Sequence, residues 1–222
     1  MAKEEDASVS NLFKEIDDEL RQDKATLLWK QYGSTVIGAI IAVIIAVGAY
    51  EGWKSYDLSQ RSALGDQYAK ALDLANEQNF AAATEAFQAL AGQSDKGYNT
   101  LARLQEAGLL ARQGKFEEAA NAYFLIAQNG ELNSSYRDMA LILGGLNGLD
   151  VMEPNDIISR LAPMIGGVNA WRHSASEITA YAHAKAGDNA KAAEIMNSLS
   201  EDASAPAGVR QRAQQFAKAY AG

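Results

Sequence analysis

The feature that most limits how this chain can fold is a run of twenty residues without charge, residues 31–50. Residues 32–50 read "YGSTVIGAIIAVIIAVGAY" and include eight valines or isoleucines. A helix of this length rises about 30 Å, roughly the thickness of the hydrocarbon core of a bilayer. The branched residues favour insertion by about 2 to 5 kcal/mol, part of which Ser34, Thr35 and the glycines offset. The run predicts a transmembrane helix over residues 31–52.

Aromatic residues flank the run at both ends, with Trp29 and Tyr32 before it and Tyr50, Trp53 and Tyr56 at and beyond its end. Amphipathic rings favour both membrane–water boundaries, so paired aromatic belts are typical of a span. A core helix of a soluble domain is the alternative, but such helices seldom run this long without a polar face.

A cleaved signal peptide is a second alternative, because Ala46 and Gly48 are small residues placed before a cut at Ala49. The thirty residues before the run argue against it, since they contain eight acidic and only five basic residues. A signal peptide begins with a short positive segment. We expect an uncleaved anchor.

The orientation of the span is indicated by a difference of one charge. Three basic residues lie within fifteen positions before it, against Lys54 and Arg61 in the same distance after it. Basic residues favour the cytoplasmic side. The pattern predicts a cytoplasmic N-terminal segment, residues 1–30, and a translocated domain, residues 53–222.

Small residues recur every four positions within the span and form one ridge, consisting of Ser34, Gly38, Ala42 and Ala46. Such a ridge permits close approach of another transmembrane helix, from a partner protein or a second copy of the chain. Glycine and alanine are also common in spans for no specific reason, and the sequence leaves both interpretations open.

The N-terminal segment has apolar residues at helical spacing between Val9 and Leu20, which predicts a short amphipathic helix. Its excess of acidic residues disfavours binding to anionic lipid. We favour a solvated helix, and consider docking on a protein partner before contact with a membrane surface.

The region after the span contains a repeat. The segment "NFAAATEAFQAL" at 79–90 aligns with "KFEEAANAYFLI" at 115–126, an offset of 36 residues. A third copy, "DNAKAAEIMNSL", lies at 188–199, about two periods further on. Each copy follows another helical stretch, and Gly114 and Gly187 mark two of the turns between paired helices.

Further helices complete this region. Residues 134–148 and 155–165 form a divergent pair, and Pro206 precedes a last helix over residues 207–220 that caps the stack. The glycine-rich stretch "LGGLNGLD" at 143–150 is predicted to be a helix end and turn. No convincing strand pattern is present.

Paired helices at a period near 34 resemble tetratricopeptide repeats. Small alanines at 83, 119 and 192 allow the second helix of each pair to approach the first, which carries alanines at 71, 107 and 180. The tryptophan usual in the family is absent. The predicted fold is all-α: one N-terminal transmembrane helix, then a tetratricopeptide-like α-solenoid of about four helix pairs with a C-terminal capping helix.

The whole arrangement resembles the YfgM-like ancillary subunits of the SecYEG translocon, through the run "FKEIDDELRQDK…LWKQYG" leading into the single span and the degenerate repeats behind it. The resemblance implies a bitopic bacterial inner-membrane protein with a cytoplasmic N-terminus and a periplasmic repeat domain. It also implies protein partners: the Sec translocon, periplasmic chaperones and secreted chains. The expected function is an accessory translocon subunit that helps hand secreted proteins to chaperones. The alternative is a membrane-tethered helical-repeat scaffold for cell-envelope assembly unrelated to secretion.

Little in the sequence indicates chemistry. The net charge is -8 with no basic block, which argues against a nucleic-acid partner. Cysteine is absent, which excludes thiol catalysis, disulfides and thiolate metal sites. His173 and Glu177 lie four apart on a helix, but without a third ligand we expect a solvated or capped histidine. We expect no enzyme activity, no catalytic residue, no metal and no cofactor; lipid should surround residues 31–52.

Binding to proteins would use the surface formed by the first helix of each pair. By the tetratricopeptide pattern this groove surface includes five residues: Tyr68, Leu72, Leu101, Leu104 and Tyr181. For the three leucines, burial in the core is the better interpretation. For the two tyrosines the choice stays open.

Overall fold

The structure is a computed structural model that describes residues 2–93 and 96–220. The described residues form nine helices and no strand. They are α1 (Ala2–Asn76), α2 (Phe80–Gln93), α3 (Lys96–Arg112), α4 (Phe116–Ala127), α5 (Ser134–Gly148), α6 (Pro154–Ile165), α7 (Arg172–Lys185), α8 (Asn189–Glu201) and α9 (Ala207–Tyr220). The prediction of an all-helical chain is confirmed.

The chain divides into two compact units, residues 1–61 and 62–222. The first unit consists of α1 up to residue 61 and contains the apolar run. The helix continues without interruption through residues 30 and 52, where the sequence placed segment boundaries. No proline lies before Pro154, so nothing between these positions forces the helix to stop. The apolar face expected over residues 9–20 involves side chains outside those described.

The second unit contains the end of α1 and α2 to α9, which pair in the order expected. The predicted helices of residues 134–148 and 207–220 have the bounds of α5 and α9. Six alanines at repeat-equivalent positions are completely buried, as close approach of paired helices requires. They are Ala71, Ala83, Ala107, Ala119, Ala180 and Ala192, each 0% exposed.

The turns inside three of the helix pairs share one geometry. Gly114 and Gly187, which were predicted to mark turns, have φ of +77° and +84°, the left-handed conformation that ends a helix. The backbone N–H of Lys115 donates to the carbonyl of Leu110 (3.0 Å), which closes the turn. In the first pair the equivalent residue is not glycine but Gln78, with φ of +62°.

Four hydrophobic clusters fill the spaces between successive helices. The first joins the end of α1 to α2 and α3 around Phe87, and the second joins α3, α4 and α5 around Tyr123. The third joins α5, α6 and α7 around Ile157, and the last joins α7, α8 and α9 around Met196. Each cluster shares a helix with the next, which is the layered packing of a solenoid.

The glycine-rich stretch at 143–150 forms a helix end and a turn, as predicted. Gly144 and Gly145 lie inside α5, which ends at Gly148. A Cβ on Gly144 would lie 2.8 Å from the ring of Phe124 in α4. Gly144 is therefore needed for close packing of α5 against α4, a tertiary demand that local sequence does not reveal.

Candidate functional site

The five residues predicted to form the groove surface lie in different parts of the second unit. Tyr68 and Leu72 are half-buried against the first cluster, while Leu104 is buried in the second. Leu101 is half-buried on α3, and Tyr181 is half-buried against the last cluster. The surface they were expected to share stays a prediction.

The two tyrosines are held by specific contacts. The ring of Tyr68 packs edge-on against Phe87 with centroids 5.7 Å apart, and its Oη accepts a hydrogen bond from Gln105 Nε2 (2.9 Å). Tyr181 packs edge-on against Phe216 at 5.1 Å and donates to Glu177 Oε1 (3.2 Å). Both rings therefore bridge neighbouring helices of the solenoid while keeping part of their surface exposed.

The predicted helix-packing ridge lies on α1, where Ser34, Gly38, Ala42 and Ala46 are all exposed. A Cβ added at Gly38 meets no heavy atom within 4 Å. The ridge is thus accessible within the first unit, and its role in binding another helix stays a prediction.

A groove of about 630 Å³ lies between α3 and α4. Its apolar lining includes Leu110, Leu125 and Leu132, and its polar lining comes from Asn99, Arg103, Glu106, Gln128 and Asn129. None of the five predicted groove residues lines it. Its apolar residues offer a ligand contact area, and its polar residues can orient that ligand.

The charged residues of this groove have different partners. Arg103 Nε donates to Asn99 Oδ1 (3.1 Å), one turn earlier on the same helix. Glu106 Oε1 accepts from Gln88 Nε2 of α2 (2.6 Å). Within the described residues Arg103 forms no ion pair with a carboxylate.

A second cavity of about 460 Å³ is lined by Tyr181 together with Leu149, Asp150, Ala184 and Lys185. Lys185 Nζ and Asp150 Oδ1 are 2.5 Å apart, so an ion pair occupies part of its wall. Since that pair satisfies both charges, the cavity offers a ligand less unpaired polarity than the groove does.

His173 and Glu177, four residues apart on α7, interact with different partners. His173 Nε2 lies 2.9 Å from Asp202 Oδ2, and its side chain is only 12% exposed rather than solvated. Hydrogen bonds from the Ser204 hydroxyl, the Ser204 backbone and His173 hold the pKa of Asp202 below its usual range.

Glu177 has its own partner, Arg212 of α9. Arg212 Nε donates to Oε1 (2.6 Å) and Nη2 donates to Oε2 (2.8 Å), a bidentate pair. The hydrogen-bonded carboxylate raises the pKa of Arg212 further above its ordinary value. Among the described residues no group of three histidines or carboxylates is placed to hold a metal ion.

Sequence reasoning missed both the groove and the Arg212–Glu177 pair. The pair joins residues 35 positions apart, and no local pattern relates them. The groove had one usable signal. Leu125 is a large apolar residue at a position where the aligned copies have Ala89 and Ser198.

Comparison with known proteins agrees with this architecture. The family described as tetratricopeptide repeat-like domain matches residues 27–143, more than half of the chain. The matched region includes the apolar run as well as the first two helix pairs. No curated protein matches the chain. No solved structure matches it either. The chain therefore belongs to the tetratricopeptide repeat-like family.

Proposed function

We propose that this protein is a single-pass inner-membrane protein whose repeat domain, residues 53–222, binds other proteins in the periplasm. Tetratricopeptide repeat-like domains are protein-interaction modules. We therefore assign protein binding to the paired helices of the second unit. The finer proposal is that the protein is an accessory subunit of the Sec translocon that helps hand secreted chains to periplasmic chaperones.

The observation that carries the membrane part is the exposure of the apolar run. Between Val36 and Val47 the valines and isoleucines are 44% to 65% exposed. They lie in a helix that is long and apolar enough to span a membrane. A large contiguous apolar surface of this kind is typical of a region that contacts lipid or another protein. Burial in lipid of residues 31–52, with residues 1–30 in the cytoplasm, is the arrangement we propose.

The translocon part depends on the sequence run before the span and on the ridge that includes Gly38 and Ala42. An exposed ridge of small residues suits a partner helix in the membrane. The proposed role needs no reaction, and we propose that the protein is not an enzyme and requires no cofactor.

Site-specific photocrosslinking from position 38 in membranes tests the translocon part. We expect adducts with the translocon subunits, and we expect Gly38→Leu combined with Ala42→Leu to weaken co-purification in detergent. A matched change on another side of the helix, Val43→Leu with Ile44→Leu, should leave co-purification unchanged. Adducts only with envelope-assembly proteins would instead favour a scaffold unrelated to secretion.

A further inference from the structure

The groove between α3 and α4 differs from the equivalent surfaces of the two repeats that align with it. Leu125 lines the groove and is 66% exposed, where the aligned second helices carry Ala89 and Ser198. Arg103 also lines it, where the aligned first helices carry Gln67 and Ser176. The two aligned repeats thus lack both the large apolar residue and the positive charge.

Among the described residues, only part of the Arg103 guanidinium is engaged. Its Nε is used by Asn99, but a guanidinium has five N–H donors, and those on its two terminal nitrogens form the fork that fits a carboxylate. Glu106, three residues later, is hydrogen-bonded to Gln88 of α2 and forms no ion pair with Arg103. The remaining N–H donors of Arg103 suit a carboxylate, because a charge-assisted hydrogen bond is stronger than one to a neutral acceptor.

The polar residues that line the groove also suit a peptide backbone. Gln128 and Asn129 line it at the end of α4, and Asn129 Oδ1 already accepts from the backbone N–H of Glu131 (3.0 Å). The amide nitrogen of Asn129 is left to donate. Side-chain amides donate to and accept from peptide groups, which an extended segment presents along its length.

We propose that this groove binds an extended segment of a partner protein that places an apolar side chain against Leu110, Leu125 and Leu132 and an acidic residue on Arg103. This proposal rests on the protein-binding role proposed for the repeat domain and names the chemistry that the domain selects. The volume of about 630 Å³ lies within the range of about 300–1,000 Å³ usual for ligand pockets.

The test uses the full chain in detergent micelles and an array of synthetic nine-residue peptides. All peptides share two central leucines, which are flanked by two aspartates, two asparagines or two lysines. We expect the wild-type protein to bind the aspartate class most tightly. Arg103→Gln should weaken that binding about tenfold and abolish the preference, because a charge-assisted hydrogen bond is lost. Arg103→Glu should reverse the preference towards the lysine class.

Leu125→Asn tests the apolar part of the lining and should weaken the binding of all three peptide classes together. Two variants serve as matched controls. Lys115→Gln removes one positive charge outside the groove lining, and Leu146→Asn makes the same polar change at another exposed leucine, 56% exposed on α5. Both should bind as the wild type does, and circular dichroism should show every variant to be folded.

The groove proposal is overturned if the wild type shows no preference for the aspartate class, or if Arg103→Gln and Leu125→Asn bind no differently from their controls. Failure of the protein-binding role proposed for the repeat domain gives a different result. In that case the wild type would bind none of the three peptide classes, whereas failure of the groove proposal alone leaves binding that has no aspartate preference or does not respond to the groove variants.

Discussion

Arg212 of α9 donates two hydrogen bonds, of 2.6 and 2.8 Å, to Glu177 of α7. This pair connects the last helix to the rest of the solenoid. The side chain of Glu177 is 8% exposed while that of Arg212 is 51% exposed. Removal of Arg212 therefore destabilises the folded state, because the carboxylate of Glu177 stays buried without its cation.

We expect Arg212→Leu to lower the free energy of unfolding by about 2 kcal/mol, the scale of hydrogen bonds to a charged group. Arg212→Lys should recover only part of the loss, because an ammonium does not make the bidentate contact. Urea unfolding of the full chain in micelles measures both. A loss no larger than that of Lys218→Leu, an exposed position on the same helix, would contradict the proposed role of the pair.

Asp202 should make the stability depend on acidic pH. Ser204 and His173 lower its pKa in the folded state, so the folded protein holds this proton less tightly than the unfolded chain does. The associated stabilisation is fully present above the unfolded pKa of about 3.9 and is lost as the pH falls further. Asp202→Asn should therefore flatten the stability profile below about pH 4, measured by thermal unfolding across pH 2 to 6. An unchanged slope in this window would show that the contacts of Asp202 do not favour its ionised form.

Gln78 occupies a left-handed turn position where two other repeats have glycine. The left-handed conformation destabilises a residue with a side chain by about 1 kcal/mol relative to glycine. Glycine recovers only part of this, because it also increases the conformational entropy of the unfolded chain. Gln78→Gly should raise the free energy of unfolding by about 0.5 kcal/mol, and the reverse change, Gly114→Gln, should lower it by about 1 kcal/mol. Opposite signs in urea unfolding are the expected result, and equal signs would refute the equivalence of the two turns.

Gly144 sets the distance between α4 and α5. A methyl group placed there would overlap the buried ring of Phe124, which lies beneath the guanidinium of Arg160 at 4.5 Å. Gly144→Ala should destabilise the domain by about 1–3 kcal/mol through overpacking. Gly92→Ala is the control, because its Cβ would meet no atom within 4 Å and the change should be neutral or stabilising by less than about 1 kcal/mol. If both variants unfold alike, the close contact with Phe124 is not limiting.

The features that the sequence predicted well depend on the local spacing of apolar residues and on the residues at helix ends. The bounds of α5 and α9, the buried alanines at 83, 119 and 192 and the left-handed Gly114 all follow from apolar spacing and helix-end chemistry. Gln78 escaped prediction because its left-handed turn contains no glycine to mark it.

Features that depend on distant residues were out of reach. The Arg212–Glu177 pair and the position of Gly144 against Phe124 arise only when helices pack, and neither leaves a periodic trace. The same holds for the groove, whose edges come from α3, α4 and the residues that follow α4. Helical spacing indicates which face of a helix is apolar but not where two helices leave room between them.

Extraction of membranes with alkaline carbonate, followed by intact-mass measurement, tests the membrane-anchor proposal most directly. If residues 31–52 are a permanent anchor, a chain that retains residues 1–222, whose mass is 23.8 kDa, should stay uncleaved in the membrane pellet. Recovery of a soluble chain that begins near Ala49 would show that the apolar run is a cleaved leader, and would contradict the membrane-anchored function proposed for this protein.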